Sequence, residues 1–158
     1  MQPLTAVLAA VILSISFLVR CLDALRFQAF GVDTFANLLY ARKMKGGSLH
    51  LYRTGKIVYP PALPWLIKQL DGKVSVRVMH VIPKVFDVLT AAVVFVFTLW
   101  TTGNEAAALL ALSLYSFCAI NVINGYGIGT RSIGSFFFAS TILLSYLSAS
   151  GGWMAYVA

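Results

Sequence analysis

An all-α, polytopic membrane fold follows from three observations on this 158-residue chain. Hydrophobic residues make up 59% of it and charged residues only 11%, whereas soluble domains hold about 45–50% apolar and about 25% charged residues. Mean hydropathy is +0.85. The apolar residues also come in long unbroken runs rather than in the stripes of a soluble core. The sequence predicts a single membrane domain with about four transmembrane helices. A large first loop, 20–77, carries two amphipathic interfacial helices.

The first run, 4–19, contains no charged side chain. Roughly 17–25 helical residues, at about 1.5 Å each, cross a hydrocarbon core of about 30 Å. The run is short for this, yet it lacks the cationic n-region and small-x-small cleavage pattern of a signal peptide. It reads as a retained span. The second span is expected over 78–100, the third over 106–123 and the fourth over 132–150. The apolar tail from Trp153 to Ala158 is too short to form a fifth.

Within the first loop, Asp33-Thr34 precedes Phe35, Leu38, Leu39 and Arg42 at helical spacing. Asp33 suits an N-cap, its carboxylate accepting from backbone N–H groups of the first turn. Gly46-Gly47 ends that helix after Arg42, Lys43 and Lys45, cations that complement the negative end of its dipole. A second stripe, Leu63, Leu66, Ile67 and Leu70, follows Tyr59-Pro60-Pro61, where proline is tolerated in a first turn. Trp65 suits the membrane–water boundary. Both helices read as interfacial; the plainer alternative is that they pack on the spans as cover.

His80, Lys84 and Asp87 fall on one helical face near the start of the second span. A lone charge at mid-bilayer costs on the order of 2.5–3.5 kcal/mol, so such residues face protein or water. Lys84 and Asp87, three apart, are placed to neutralise each other; the functional alternative is a polar wall for a phosphate-bearing substrate. The segment Asn124-Gly125-Tyr126-Gly127-Ile128-Gly129 is a tight turn rather than a dinucleotide fingerprint, since no strand precedes it. Cys21 and Cys118 are too few for a disulfide framework or a zinc site, and Cys118 reads as a small apolar filler in mid-span. No metal-ligand spacing and no Ser/His/Asp arrangement is present.

Formal net charge is +7, and ten of the twelve Lys/Arg lie between Arg20 and Arg77. Cations set between spans exclude nucleic acid as the natural partner and favour phosphate groups, of lipid headgroups or of a lipid-linked substrate. Read alone, this bias places the first loop in the cytoplasm, although the rule weakens for loops near about 60 residues.

In order along the chain, these features resemble the polytopic C-type (GT-C fold) glycosyltransferases. The nearest likeness is to the polyprenyl-phosphate-mannose-dependent mannosyltransferases, of which this chain corresponds to the N-terminal portion. The matching pieces are Asp33 near the loop's start, Gly47-Ser48-Leu49-His50-Leu51-Tyr52, the Tyr59-Pro60-Pro61 corner, Val85-Phe86-Asp87-Val88-Leu89 and Thr130-Arg131-Ser132. The resemblance implies an extracytoplasmic loop and inverting transfer of a sugar, expected to be mannose, from a polyprenyl-phosphate donor to a lipid or protein acceptor. Asp33 would serve as general base on the acceptor hydroxyl, or at least orient it, and Tyr52, Arg53, Lys56, Tyr59, Lys84, Asp87 and Arg131 would be substrate-binding residues. It implies no cofactor; a divalent metal is compatible but not indicated. Membrane lipids, the lipid-phosphate donor and a further membrane subunit completing the fold are the expected partners. The location is the endoplasmic reticulum or a prokaryotic plasma membrane.

Two other functions stay open. A non-catalytic small membrane subunit, or degenerate paralogue, would keep the first half of the fold as an assembly surface, with Ala106–Ala111 suiting close helix packing. A small transporter would place ionisable groups near mid-bilayer, whereas here they cluster at one end of a span.

Overall fold

The computed structural model describes residues 1–26, 32–43, 52–54, 57–59, 62–70, 73, 79–119, 122 and 131–150, with backbone alone at 23–26, 32–36, 52–54, 57–59 and 62. Among the described residues are six helices: α1 (Pro3–Arg26), α2 (Val32–Lys43), α3 (Ala62–Leu70), α4 (Val81–Thr102), α5 (Glu105–Phe117) and α6 (Arg131–Ala149). A two-stranded antiparallel hairpin, β1 (Tyr52–Thr54) and β2 (Ile57–Tyr59), stands between α2 and α3. The expected all-α membrane architecture holds, with this hairpin added.

Three helices, α1, α4 and α6, are long and apolar enough to cross a membrane. The expected span over 106–123 takes a different form. Its helix, α5, has 13 residues and rises only about 20 Å. It stops at Phe117 because Cys118 adopts φ −59° and ψ 123°, an extended conformation. The Val122 N–H then bonds the Cys118 carbonyl at 3.0 Å, a helical spacing that resumes beyond the break. Cys118 is therefore an exposed residue at a helix end, not a mid-span filler.

α1 runs through Arg20 rather than ending before it, so the charge lies inside the helix. α4 accommodates Pro83 in its first turn, where its missing N–H has no helical acceptor to lose. It ends at Gly103 in the left-handed region (φ 64°), whose N–H bonds the Leu99 carbonyl at 2.9 Å. Asn104 then caps α5, its side chain accepting from Ala106 N–H at 2.9 Å and Ala107 N–H at 3.1 Å. Two residues thus reverse the chain between neighbouring helices.

α4 is the hub, touching α1, α5 and α6. Ala9, Ala91, Phe95, Ala108 and Leu112 form one buried cluster at the level of the helix middles. The alanines allow close approach of the backbones where lipid offers no hydrophobic drive for association. α6 lies along α4 through rings, Phe86 against Phe136 at 5.5 Å and Phe97 against Tyr146 at 5.6 Å. A second cluster joins Ala41 of α2, Leu63 and Ile67 of α3, Met79 and Ile133. The two loop helices are thereby seated over the N-terminal ends of α4 and α6. Their buried faces meet protein, which is the arrangement of a cover.

Candidate functional site

The polar side chains of the bundle gather in a layer between these two clusters, at the end carrying α2 and α3. α1 delivers Ser16 and Arg20, one turn apart, and α5 delivers Tyr115 and Ser116 from its last turn. α4 delivers Lys84, Asp87 and Thr90. Arg20, Lys84, Ser16 and Ser116 are fully enclosed, and Asp87 is 5% exposed. Asp87 is about 9 Å along α4 from its first residue.

Arg20 and Asp87 form the centre of the layer. The guanidinium Nε donates to Asp87 Oδ2 in an ion pair joining α1 to α4. Nη1 donates to the Ser16 hydroxyl, to the Ser16 carbonyl at 3.3 Å and to the Ser116 carbonyl at 2.9 Å. The other carboxylate oxygen, Oδ1, accepts from the Tyr115 hydroxyl at 3.2 Å. One arginine therefore ties three helices together. In a continuous helix the Ser116 carbonyl would accept from the N–H four residues on. The extended Cys118 backbone turns the chain out of that line, and the guanidinium supplies a donor instead.

This pairing replaces the one expected within α4. Asp87 has Arg20 and Tyr115 as its partners, not Lys84. Helical spacing brings Lys84 within reach, but a guanidinium from α1 satisfies both carboxylate geometry and the α5 carbonyl at once. Arg20 is the residue that sequence reasoning missed. The available signal was its place as the first cation after a charge-free run, facing a span that carries an acid in need of a counter-ion.

Asp33 lies at the second position of α2, inside the first turn rather than at the flanking cap. A carboxylate in the first turn favours the positive end of the dipole. Tyr52 and Tyr59 are cross-strand partners in the hairpin, and Arg53 faces Val58. Gly55 and Lys56, the two residues between the strands, lie outside the described residues, as do Gly125–Gly129 and the tail from residue 151. Arg131 is the first residue of α6 and is exposed. The structure thus joins Tyr52 to Tyr59 through the backbone, places Lys84 and Asp87 in the buried layer, and leaves Arg131 at the surface of the same end. Among the described residues no group of His, Cys, Asp and Glu has the arrangement of a metal site.

The opposite end of the bundle has its own polar contact. The Glu105 carboxylate accepts from the Thr5 hydroxyl and from the Gln2 N–H at 2.8 Å. The Thr5 hydroxyl and then the Gln2 N–H hold this carboxyl below the ordinary glutamate range. Comparison with protein-family models, with curated proteins and with solved structures gives no match for this chain.

Proposed function

We propose that the chain is a membrane glycosyltransferase, or the N-terminal portion of one, working on a lipid-phosphate-linked sugar at the end of the bundle covered by α2, the hairpin and α3. The observation that carries this reading is the seating of the cover. Ala41, Leu63 and Ile67 pack on Met79 and Ile133, so α2 and α3 are held over the ends of α4 and α6 from which Lys84 and Arg131 come. Asp33 is eight residues from Ala41, roughly 12 Å along α2. A carboxylate, tyrosines and cations are the groups such a transfer needs.

In this reading the acceptor hydroxyl gives its proton to Asp33 as its oxygen attacks the anomeric carbon from the face opposite the phosphate. The bond from that carbon to the phosphate oxygen breaks, and the electron pair leaves with the lipid phosphate. Arg53, Lys56, Lys84 and Arg131 stabilise the charge developing on it, while Tyr52 and Tyr59 flank the sugar. Asp87 contributes indirectly, by fixing Arg20.

A second reading, a non-catalytic membrane subunit, is favoured by α6. Only 11% of its apolar window is buried within the chain, leaving a face for another membrane protein. One experiment separates the two. The reconstituted chain is given a radiolabelled polyprenyl-phosphate sugar and acceptor lipids, and labelled product is counted. Transfer is expected, with Asp33→Asn lowering it at least about a hundredfold while membrane insertion is unchanged. Full turnover in that variant removes Asp33 as the base; no transfer by the unaltered chain favours the subunit.

A further inference from the structure

We propose that Arg20 Nη2 and the Ser116 hydroxyl form a buried oxyanion subsite, which takes one phosphate oxygen of a phosphate monoester or diester at the point where α5 breaks. The inference deepens the transfer reading, on which the choice of a lipid phosphate as occupant rests.

The Arg20 Nε is taken by Asp87, and its Nη1 by Ser16 and Ser116. Nη2 is buried and has no hydrogen-bond partner among the described residues. A charged donor left unsatisfied costs more than a neutral one. The ion pair holds this nitrogen in a fixed direction, because the planar guanidinium cannot rotate without losing Asp87.

A second atom points the same way. Several hydroxyls elsewhere in the bundle return to their own helix: Ser14 donates to the Ala10 carbonyl, Thr90 to Phe86, Ser113 to Leu109 and Thr141 to Phe137, each at 2.8 Å. That is the ordinary resolution for a hydroxyl in an apolar helix. Ser116 departs from it. Its Oγ is buried and without a hydrogen-bond partner among the described residues, although its own carbonyl lies 2.9 Å from Arg20 Nη1. One unsatisfied donor on the guanidinium and one unsatisfied hydroxyl on the residue whose carbonyl that guanidinium holds thus lie at the same helix break.

Irregular backbone at membrane depth persists where it is enclosed by protein or lines a polar cavity, and broken helices commonly mark the binding sites of membrane proteins. Here the break lies at the edge of the enclosed layer. Ser116 is enclosed, whereas Phe117, Cys118 and Ala119, the next three residues, are exposed. The chemistry required is an acceptor with negative charge and at least two lone-pair directions. A phosphate oxygen supplies both, and guanidinium matches it geometrically. Lys84, enclosed on the α4 face three residues before Asp87, adds a second cation to the same layer.

The test is thermal unfolding of the full chain in nanodiscs, followed by tryptophan fluorescence, with inorganic phosphate, decyl phosphate or uncharged decyl maltoside added. Decyl phosphate is expected to raise the midpoint by roughly 5 °C at saturating concentration, and decyl maltoside to leave it unchanged. Ser116→Ala, a mild truncation, should weaken the apparent Kd for decyl phosphate about tenfold. The double variant R20Q/D87N, which removes both charges together, should abolish the shift. If inorganic phosphate matches decyl phosphate, the subsite stands and its occupant is a free phosphate; if only decyl phosphate acts, the occupant is a lipid. No shift in the unaltered chain, or an equal affinity in Ser116→Ala, overturns the proposal. Should the double variant fail to fold, Ser116→Ala alone decides. Binding is read without turnover, so phosphate binding without sugar transfer would remove the enzymatic reading and leave the subsite intact.

Discussion

At the scale of single residues, the molecule is organised by one enclosed arginine. Arg20 lies in a span and is 0% exposed, a position that only a counter-ion and several acceptors can sustain. Removing one partner strands the other in a low-dielectric setting, at a cost of about 3–5 kcal/mol, whereas removing both charges at once is often close to neutral. We therefore expect Arg20→Gln and Asp87→Asn singly to lose most of the folded, monodisperse protein on size-exclusion chromatography after mild heating. The R20Q/D87N double variant should recover a large part of it. If the double variant is no better than the worse single one, the two residues are not coupled and the ion pair does not organise the layer. The pairing also shows where sequence reasoning stops. Spacing puts His80, Lys84 and Asp87 on one helical face at the start of the second span, and all three are buried, His80 at the cap of α4 and the others within it. It offered Lys84 as the partner because that lysine is local, while the true partner is 67 residues away.

At the scale of elements, long spans were legible and interruptions were not. α4 and α6 fall within a few residues of the runs expected for them, since a charge-free apolar stretch admits few alternatives in lipid. The sequence pattern ends the first span before Arg20, because a charge looks like a boundary when its partner is unknown. The third was drawn through 106–123, where no glycine or proline interrupts the sequence. Its break at Cys118 is instead sustained by a side chain from another helix, which leaves no local trace. The hairpin did carry a trace, Tyr-Arg-Thr and Ile-Val-Tyr on either side of two residues, the first a glycine. The Glu105 contact between α1 and α5 yields a pH dependence. Donors from Thr5 and Gln2 depress its folded pKa below the ordinary glutamate value of 4.5. Its contribution to stability is thus complete above that value and is lost as pH falls through the lower folded one. The thermal midpoint should fall on acidification below about pH 4.5, and Glu105→Gln should flatten that decline. An unchanged acid limb in the variant would remove this contact as its source.

At the scale of the whole molecule, charge is divided between the two ends of the bundle. α1 runs toward the covered end, α4 away from it and α6 away again, so Arg42, Lys43, Lys73 and Arg131 are exposed where α2 and α3 lie or in the segments joining them to the spans. The far end holds Glu105. A layer of cations at one membrane surface draws anionic headgroups, each Lys or Arg contributing about 1 kcal/mol near the surface, with the attraction falling off over a Debye length of about 8–10 Å. This attraction is distinct from the enclosed Arg20, because it acts through solvent and yields to salt. The chain should therefore unfold at a higher temperature in nanodiscs containing phosphatidylglycerol than in phosphatidylcholine alone, and about 0.5 M salt should erase most of the difference. Arg42→Gln with Lys73→Gln, both at exposed positions, should reduce the lipid effect while leaving stability in phosphatidylcholine unchanged. A difference that survives high salt would instead place the anionic lipid in an enclosed site, where screening cannot reach it.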